Sequence, residues 1–179
     1  MSRYSLTAAR LRGLLARHPT HTGIRVFVET GTYLARTAML AHSLFPTVHT
    51  VEISEPLFRR NLRKYEGTPG VHFYCGDSRG VVQRLARELA QPVLWFLDAH
   101  WFERTREPVG GRDAFPLWEE LDAIAQRPRG DIVLLDDVHV FGTQEPQPEW
   151  AAVNLASVAA RLPGHREAVI LGPYAVVYR

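Results

Sequence analysis

The sequence predicts an α/β fold in which a doubly wound, mostly parallel sheet of seven strands ends in an antiparallel hairpin. Short apolar runs alternate with segments of helical periodicity along the chain, which is typical of strand–helix units around a parallel sheet. Only Gly172 and Pro173 separate the last two apolar runs, so these two strands must turn back on each other.

We expect the seven strands, in chain order, at Ile24–Glu29, Val48–Ile53, Val71–Cys75, Val93–Leu97, Asp131–Leu135, Ala168–Leu171 and Ala175–Tyr178. Between and after them, helices are predicted at Leu34–Leu44, Glu55–Tyr65, Ser78–Leu89, Pro116–Gln126 and Glu149–Arg161. A further amphipathic helix is predicted within residues 1–20, with one apolar side formed by Leu6, Leu11, Leu14 and Leu15. A length of 179 residues favours a single domain, 1–179, with its α/β core at 24–179.

Composition excludes several classes of protein. Hydrophobic residues make up 46% of the chain, but no apolar run approaches the roughly 20 residues that span a bilayer, so no membrane segment is expected. The single cysteine, Cys75, excludes an intramolecular disulfide and favours a reducing, cytoplasmic location. The first 28 residues lack Asp and Glu, which leaves a transit peptide as the alternative. The basic cluster at 59–64 is interpreted as a solvated helix face, and no nucleic-acid partner is expected.

The segment Phe27–Thr37, FVETGTYLART, predicts a strand that turns through Gly31 into a helix. Glycine at such a turn lets the backbone approach a ligand, and the N–H groups at a helix start suit a carboxylate. Glu29 at the strand end is a candidate partner for the ammonium group of that ligand. A single glycine turn is also common in strand–helix units that bind nothing.

Two more strand ends carry matching polar groups. Glu52 lies about 20 residues after Gly31, where an acid accepts hydrogen bonds from a ribose diol; alternatively, it caps the next helix. Gly76, Asp77 and Ser78 follow the third strand, where they form an ordinary N-cap on their own. A resemblance to methyltransferases at this position implies instead that Asp77 accepts from an adenine amino group and that Ser78 bonds a ring nitrogen. The three strand ends together favour S-adenosylmethionine over a nicotinamide dinucleotide, which requires G-x-G-x-x-G.

Three carboxylates follow the fourth and fifth strands, in the segments LDAHW and LLDDVHVFG. Neighbouring strand ends of a doubly wound sheet face one crevice, so Asp98, Asp136 and Asp137 are expected to converge there. Clustered carboxylate oxygens suit Mg²⁺, and a bound cation would acidify a coordinated hydroxyl for methylation. The alternative for the Asp136–Asp137 pair is a turn and helix cap.

These segments resemble metal-dependent O-methyltransferases of the catechol and macrocin types. The glycine loop matches their E-x-G-x-Y-x-G-x-S/T-A motif except at Ala35, where the family commonly has a second glycine. The resemblance covers about Val26 to Gly142 and implies a Rossmann-like methyltransferase fold. It implies cofactor contacts from the residues Glu29, Gly31, Thr32, Tyr33, Thr37, Glu52, Ile53, Gly76, Asp77, Ser78 and Asp98, and metal ligation by Asp98, Asp136 and Asp137.

The catalytic base departs from this family. Catechol-type enzymes often supply a lysine, but the only lysine of this chain, Lys64, belongs to a different helix. His100 is the predicted substitute, two residues after the catalytic Asp98 and able to take a proton near neutral pH. The alternative is that His100 only packs behind the site.

The leading hypothesis is a divalent-metal-assisted O-methyltransferase acting on a small hydroxylated molecule, a sugar or a phenolic part of a natural product. The alternatives are a metal-independent N- or C-methyltransferase and a non-catalytic cofactor-binding accessory protein. The acceptor is expected to be the partner. A homodimer is a further expectation, since so small a chain has few elements of its own to cover the site.

Overall fold

A computed structural model describes residues 6–17, 23–99, 115–128, 130–145 and 147–179 of the 179-residue chain. The strands are β1 Val26–Thr30, β2 Thr47–Glu52, β3 Val71–Cys75, β4 Val93–Leu97, β5 Ile132–Leu135, β6 Glu167–Leu171 and β7 Tyr174–Tyr178. The α-helices are α1 Ala8–Arg17, α2 Arg36–His42, α3 Glu55–Tyr65, α4 Ser78–Glu88, α5 Leu117–Ala125 and α6 Leu155–Arg161. Two 3₁₀ helices span Val138–Val140 and Pro148–Ala152.

The strands form one sheet in the order β3-β2-β1-β4-β5-β7-β6. Neighbours from β3 to β5 are parallel, so their carboxyl ends share one edge. Strand β7 lies antiparallel between β5 and β6, and Gly172, at a φ of +63°, lies in the turn of the β6–β7 hairpin. The predicted Rossmann-like sheet with a C-terminal hairpin is confirmed.

Alternation along β1 fixes two apolar layers, because successive side chains of a strand point to opposite faces. Val26 and Val28 pack with buried residues of α4, α5 and α6 on one face of the sheet. Phe27 packs on the other face, where α1 and α2 contribute the buried Leu11 and Ala38. Both faces are therefore covered, and the carboxyl edge of the parallel strands is left for a site.

Helix α1 is attached to the C-terminal hairpin, which fixes its position beside the site. Arg17 forms an ion pair of 2.6 Å with Glu167 of β6. The Tyr178 hydroxyl of β7 donates to the Leu14 carbonyl at 3.2 Å. The first and last parts of the described chain are thus joined.

Some predicted helix boundaries were wrong. Helix α2 begins at Arg36 rather than Leu34, because Tyr33 and Ala35 have positive φ angles of 46° and 57°. The single helix predicted at Glu149–Arg161 is two helices, since Asn154 is extended between them. The Asn154 side chain accepts from the Ser157 N–H, and the Ser157 hydroxyl accepts from the Asn154 N–H. This reciprocal cap starts a new helix.

In the part of the chain that the structure describes, no helix is long and apolar enough to cross a membrane.

Candidate cofactor and active site

The turn after β1 is built around Gly31, at a φ of +87°. The N–H groups of Gly31 and Thr32 donate to the Val51 carbonyl at 3.0 and 3.1 Å, which holds the turn over β2. A Cβ at position 31 would collide with the Asp98 carbonyl oxygen. Glycine is therefore required here by the close approach of the β1 turn to the end of β4, as well as by its φ.

Glu29 lies beneath this turn and is 1% exposed. The Thr50 hydroxyl donates to its carboxyl at 2.6 Å, and the Thr32 hydroxyl lies 2.6 Å from that of Thr50. Thr37 of α2 also hydrogen-bonds to the same carboxyl, so this predicted contact residue reaches Glu29. Burial raises the pKa of Glu29 to about 8, which keeps the acid largely neutral at pH 7. Its contact with a ligand stays a prediction.

Glu52 ends β2 and is 7% exposed. Its carboxylate accepts from the Tyr33 N–H at 2.7 Å and from the Ser54 N–H at 2.9 Å, one on each oxygen. These bonds tie the glycine loop to the turn after β2. Each oxygen keeps a further lone pair, so the carboxylate retains the capacity to accept from a ribose diol.

Two exposed apolar side chains are close to Glu52 along the chain or through its hydrogen bonds. Ile53 follows it in sequence, and Tyr33 belongs to the glycine loop that its carboxylate holds. Tyr33 is 55% exposed and Ile53 is 43% exposed, and these are the two most exposed large apolar residues among those described. Asn61 of α3 donates to the Tyr33 carbonyl at 2.6 Å and keeps the loop in position. A rigid acid between two exposed apolar surfaces fits a nucleoside.

The Gly76–Asp77–Ser78 segment connects β3 to α4, and the Gly76 N–H donates to the Glu52 carbonyl at 2.9 Å. Asp77 is the N-cap of α4 and accepts from the Arg79 N–H at 2.9 Å. The Arg79 side chain donates to both Asp77 oxygens, and these hydrogen bonds lower the pKa of Asp77. Ser78 is buried and hydrogen-bonds to Glu120 of α5. Asp77 is therefore the N-cap that the sequence analysis left as the alternative, and Ser78 is hydrogen-bonded within the protein.

The carboxylates after β4 and β5 form a second part of the site. Burial, followed by the charges of Asp136, Asp137 and Glu29, raises the pKa of Asp98 well above its usual value. Burial is also the first cause that raises the pKa of Asp136, to about 7, and the pKa of Asp137. The Asp137 N–H donates to Asp136 at 2.8 Å, and Asp137 has a φ of 59°. Asp137 makes no side-chain cap, so the alternative of a helix cap loses support.

Two residues that the sequence reasoning missed lie beside these carboxylates. Tyr174, the first residue of β7, is 1% exposed, and its pKa is raised by burial and by the nearby charges of Asp136 and Asp98. Arg10 of α1 hydrogen-bonds to Tyr174, lies 5.9 Å from its ring centroid, and has a charge that lowers the pKa of Asp136. Both reach the site from parts of the chain distant in sequence, which no local pattern reveals.

His100, the predicted base, lies outside the described residues. His139 lies 3.6 Å from Asp137 and is largely exposed. Within the described ranges, no three His, Cys, Asp or Glu side chains are arranged as a metal site. The metal therefore stays a prediction that rests on the chemistry of the carboxylates.

Solved structures share this fold. SMU.1697c from Streptococcus mutans, in complex with SAH, is 11% identical over 92% of this chain and 94% of its own, with a TM-score of 0.58. The SAH-bound methyltransferase PaMTH1 from Podospora anserina is 14% identical over 96% and 79%, with a TM-score of 0.55. A SAM-dependent methyltransferase from Anabaena variabilis is 9% identical over 94% and 83%, also at 0.55. The chain has the fold of these methyltransferases.

Two further matches are more distant. An amino pentose methyltransferase from Micromonospora echinaspora and DesVI from Streptomyces venezuelae have TM-scores of 0.47 and 0.48. The chain spans about half the length of each, 49% and 48%. No protein-family model and no curated protein sequence matches this chain.

Proposed function

We propose that the chain is an S-adenosylmethionine-dependent methyltransferase that methylates a hydroxyl group of a small molecule with the help of Mg²⁺. The observation that carries this proposal is the contact between Gly31 and the backbone of Asp98. It joins the loop with cofactor-binding character to the carboxylates after β4 and β5. A cofactor on the loop and an acceptor at the carboxylates would then be neighbours, as group transfer requires.

The cofactor half is supported by Glu52 and its surroundings. Two backbone N–H groups hold the carboxylate in one orientation, so its free lone pairs are preorganised for the two ribose hydroxyls. The exposed side chains of Tyr33 and Ile53 offer apolar surface to the nucleoside. S-adenosylmethionine supplies the activated methyl group when bound.

The metal half is supported by the charges of Asp98, Asp136 and Asp137. After burial, the charges of Asp136 and Asp137 raise the pKa of Asp98, and that of Asp137 raises the pKa of Asp136, so these carboxylates repel and a divalent cation would neutralise them. The positive charge of Arg10 lowers the pKa of Asp136, but Arg10 is an exposed residue. Bound Mg²⁺ would lower the pKa of an acceptor hydroxyl. His100 is the proposed base, and a sugar or phenolic hydroxyl is the proposed acceptor.

The test combines calorimetry with a mass-based screen of hydroxylated acceptors. The native chain is expected to bind S-adenosylhomocysteine, and transfer is expected to stop in excess chelator and return with Mg²⁺. Asp98→Asn should lower the affinity for the cation far more than the affinity for the cofactor. Asp122→Asn, at an exposed position on α5, is the matched control and should change neither.

Each part of the proposal has its own contrary result. A native chain that does not bind the cofactor would exclude a methyltransferase. Transfer that persists in chelator, with every Asp→Asn variant active, would exclude the metal and favour N- or C-methylation. Cofactor binding without transfer to any acceptor of a broad set would leave an accessory protein.

A further inference from the structure

Three carboxylates lie near the N-terminus of α4, where the sequence predicts the adenine ring. Asp77 is fully engaged, because the Arg79 side chain donates to both of its oxygens and the Arg79 N–H donates to Oδ1. Glu119 of α5 is 55% exposed on its side chain and lies 3.8 Å from Arg79. Neither offers a buried acceptor to an amino group.

Glu120, the next residue of α5, differs from both. It is 1% exposed, and the hydroxyls of Ser78 and Thr30 hydrogen-bond to its carboxyl. Its Oε1 atom is buried and has no hydrogen-bond partner among the described residues. The contacts from Ser78 and Thr30 leave Oε1 unpaired. Buried polar atoms are almost always paired, so an unpaired carboxylate oxygen beside the strand-end segments marks a place where a ligand can supply the donor.

The position of Glu120 identifies that ligand. Ser78 is the first residue of α4, and Thr30 is the last residue of β1, immediately before Gly31. The Thr30 hydroxyl also accepts from the Asp98 N–H at 3.2 Å. Glu120 thus lies between the two strand-end segments that are proposed to hold the cofactor, and its Oε1 is a buried side-chain acceptor there that no described residue uses.

We propose that Glu120 is a further cofactor-binding residue whose Oε1 accepts a hydrogen bond from the exocyclic amino group of adenine. This assigns to α5 the role that the sequence predicted for Asp77. The inference rests on the proposed cofactor. It makes Glu120 the residue that selects adenine over a purine with a carbonyl at the same position.

The test compares S-adenosylhomocysteine with S-inosylhomocysteine, which carries a carbonyl in place of the amino group. Affinities are measured by calorimetry above pH 8, where Glu120 is ionised, since burial raises its pKa to about 7. The native chain should prefer the adenosyl ligand by roughly ten- to hundredfold. In Glu120→Gln, Ser78 and Thr30 hold the amide oxygen and the NH₂ group replaces Oε1. The preference should therefore invert in favour of the inosyl ligand.

Glu119→Gln is the matched control on the adjacent position and should keep the native preference. Glu120→Met tests the same point if the Gln variant does not fold, and it should bind both ligands equally. Equal weakening of both ligands by Glu120→Gln would reduce Glu120 to a structural residue and overturn the inference. Loss of the preference in Asp77→Asn alone would also overturn it. A native chain that binds neither ligand would reject the proposed function itself.

Discussion

Buried ionisable groups lie at both ends of strands β4 and β5, but they are paired with an opposite charge only at the amino end. At the amino end, Arg127 and Asp131 form an ion pair of 2.7 Å and are 6% and 1% exposed. Asp131 also accepts from the Val93 N–H and from Trp95 Nε1, while Arg127 donates to three backbone carbonyls. At the carboxyl end, burial raises the pKa of Asp98, Asp136 and Asp137, the charges of Asp136 and Asp137 raise that of Asp98 further, and the charge of Asp137 raises that of Asp136.

The difference separates structure from function. A buried pair whose hydrogen bonds are satisfied holds the sheet together and needs nothing further. Carboxylates that lie close together without a buried cation lower the stability of the fold. Such clusters are typical of sites that bind a ligand or a metal. The same contrast exists between Asp77, paired with Arg79, and Glu120, which has a free oxygen. Among these buried acids, the unpaired oxygen of Glu120 distinguishes it from Asp131, whose hydrogen bonds are satisfied.

The largest expected effect is a loss of stability when the buried ion pair at the amino end is broken. Arg127→Met leaves Asp131 as a buried, uncompensated charge and should lower the free energy of unfolding by about 3–5 kcal/mol. Urea denaturation at pH 7 measures it. The double variant Arg127→Met with Asp131→Leu should recover much of the loss, because the pair is then replaced by apolar groups. A single variant as stable as the native chain would remove the structural role of the pair.

At the carboxyl end, the strongest functional effect is expected at His100. If it takes the acceptor proton, His100→Gln should lower kcat by roughly 10²–10⁴ while cofactor affinity stays nearly unchanged. The rate should also lose its dependence on a group that titrates near the usual histidine pKa of about 6.5. A small fall in rate with an unchanged pH profile would leave activation of the hydroxyl to the metal alone. Strong dependence would favour an alcohol acceptor, and weak dependence a phenol.

A substitution at Glu52 tests whether the glycine loop contributes to cofactor binding. Glu52→Ala should weaken S-adenosylhomocysteine by about 1.5–3 kcal/mol, the range for hydrogen bonds to a charged group. Glu55→Ala, three residues later and exposed, is the control. Calorimetry that gives the same affinity for the native chain and Glu52→Ala would limit Glu52 to holding the Tyr33 and Ser54 N–H groups.

The sequence predicted what depends on local patterns. Helix α3 and strands β3 and β4 have the predicted bounds, because periodicity and flanking turns mark them directly. Strand-end acids such as Asp98 were found in the same way. Arg10 and Tyr174 were missed, since they meet only because β7 inserts beside β5 and α1 packs on the hairpin. Glu120 lies within the helix predicted at Pro116–Gln126, and nothing local indicates that its partners lie on β1 and α4.

A smaller effect concerns the stability of the carboxyl end. Burial raises the pKa of Asp136 to about 7, so the folded state binds this proton more tightly than the unfolded state. In chelator, that stability is present at low pH and is lost as the pH rises from about 4 to about 7. Asp136→Asn should remove this loss, on the order of 1–2 kcal/mol allowing for partial exposure. Parallel stability profiles for the native chain and the variant, with Asp122→Asn as control, would exclude a raised pKa at Asp136.

The smallest expected effect is the release of a proton from Glu29 when the cofactor binds. Because burial raises its pKa to about 8, Glu29 is mostly protonated at pH 7 in the free protein. An ammonium group of the cofactor placed beside it would favour the charged form and expel close to one proton on binding. Calorimetry in two buffers of different ionisation enthalpy measures that release, which Glu29→Gln should abolish and Glu55→Gln should preserve. If the native chain binds S-adenosylhomocysteine without releasing a proton, Glu29 stays a neutral acid beneath the turn, bonded to Thr50 and Thr37. The ammonium group would then need another partner, and Glu29 would belong with Asp131 among the buried acids that serve the fold.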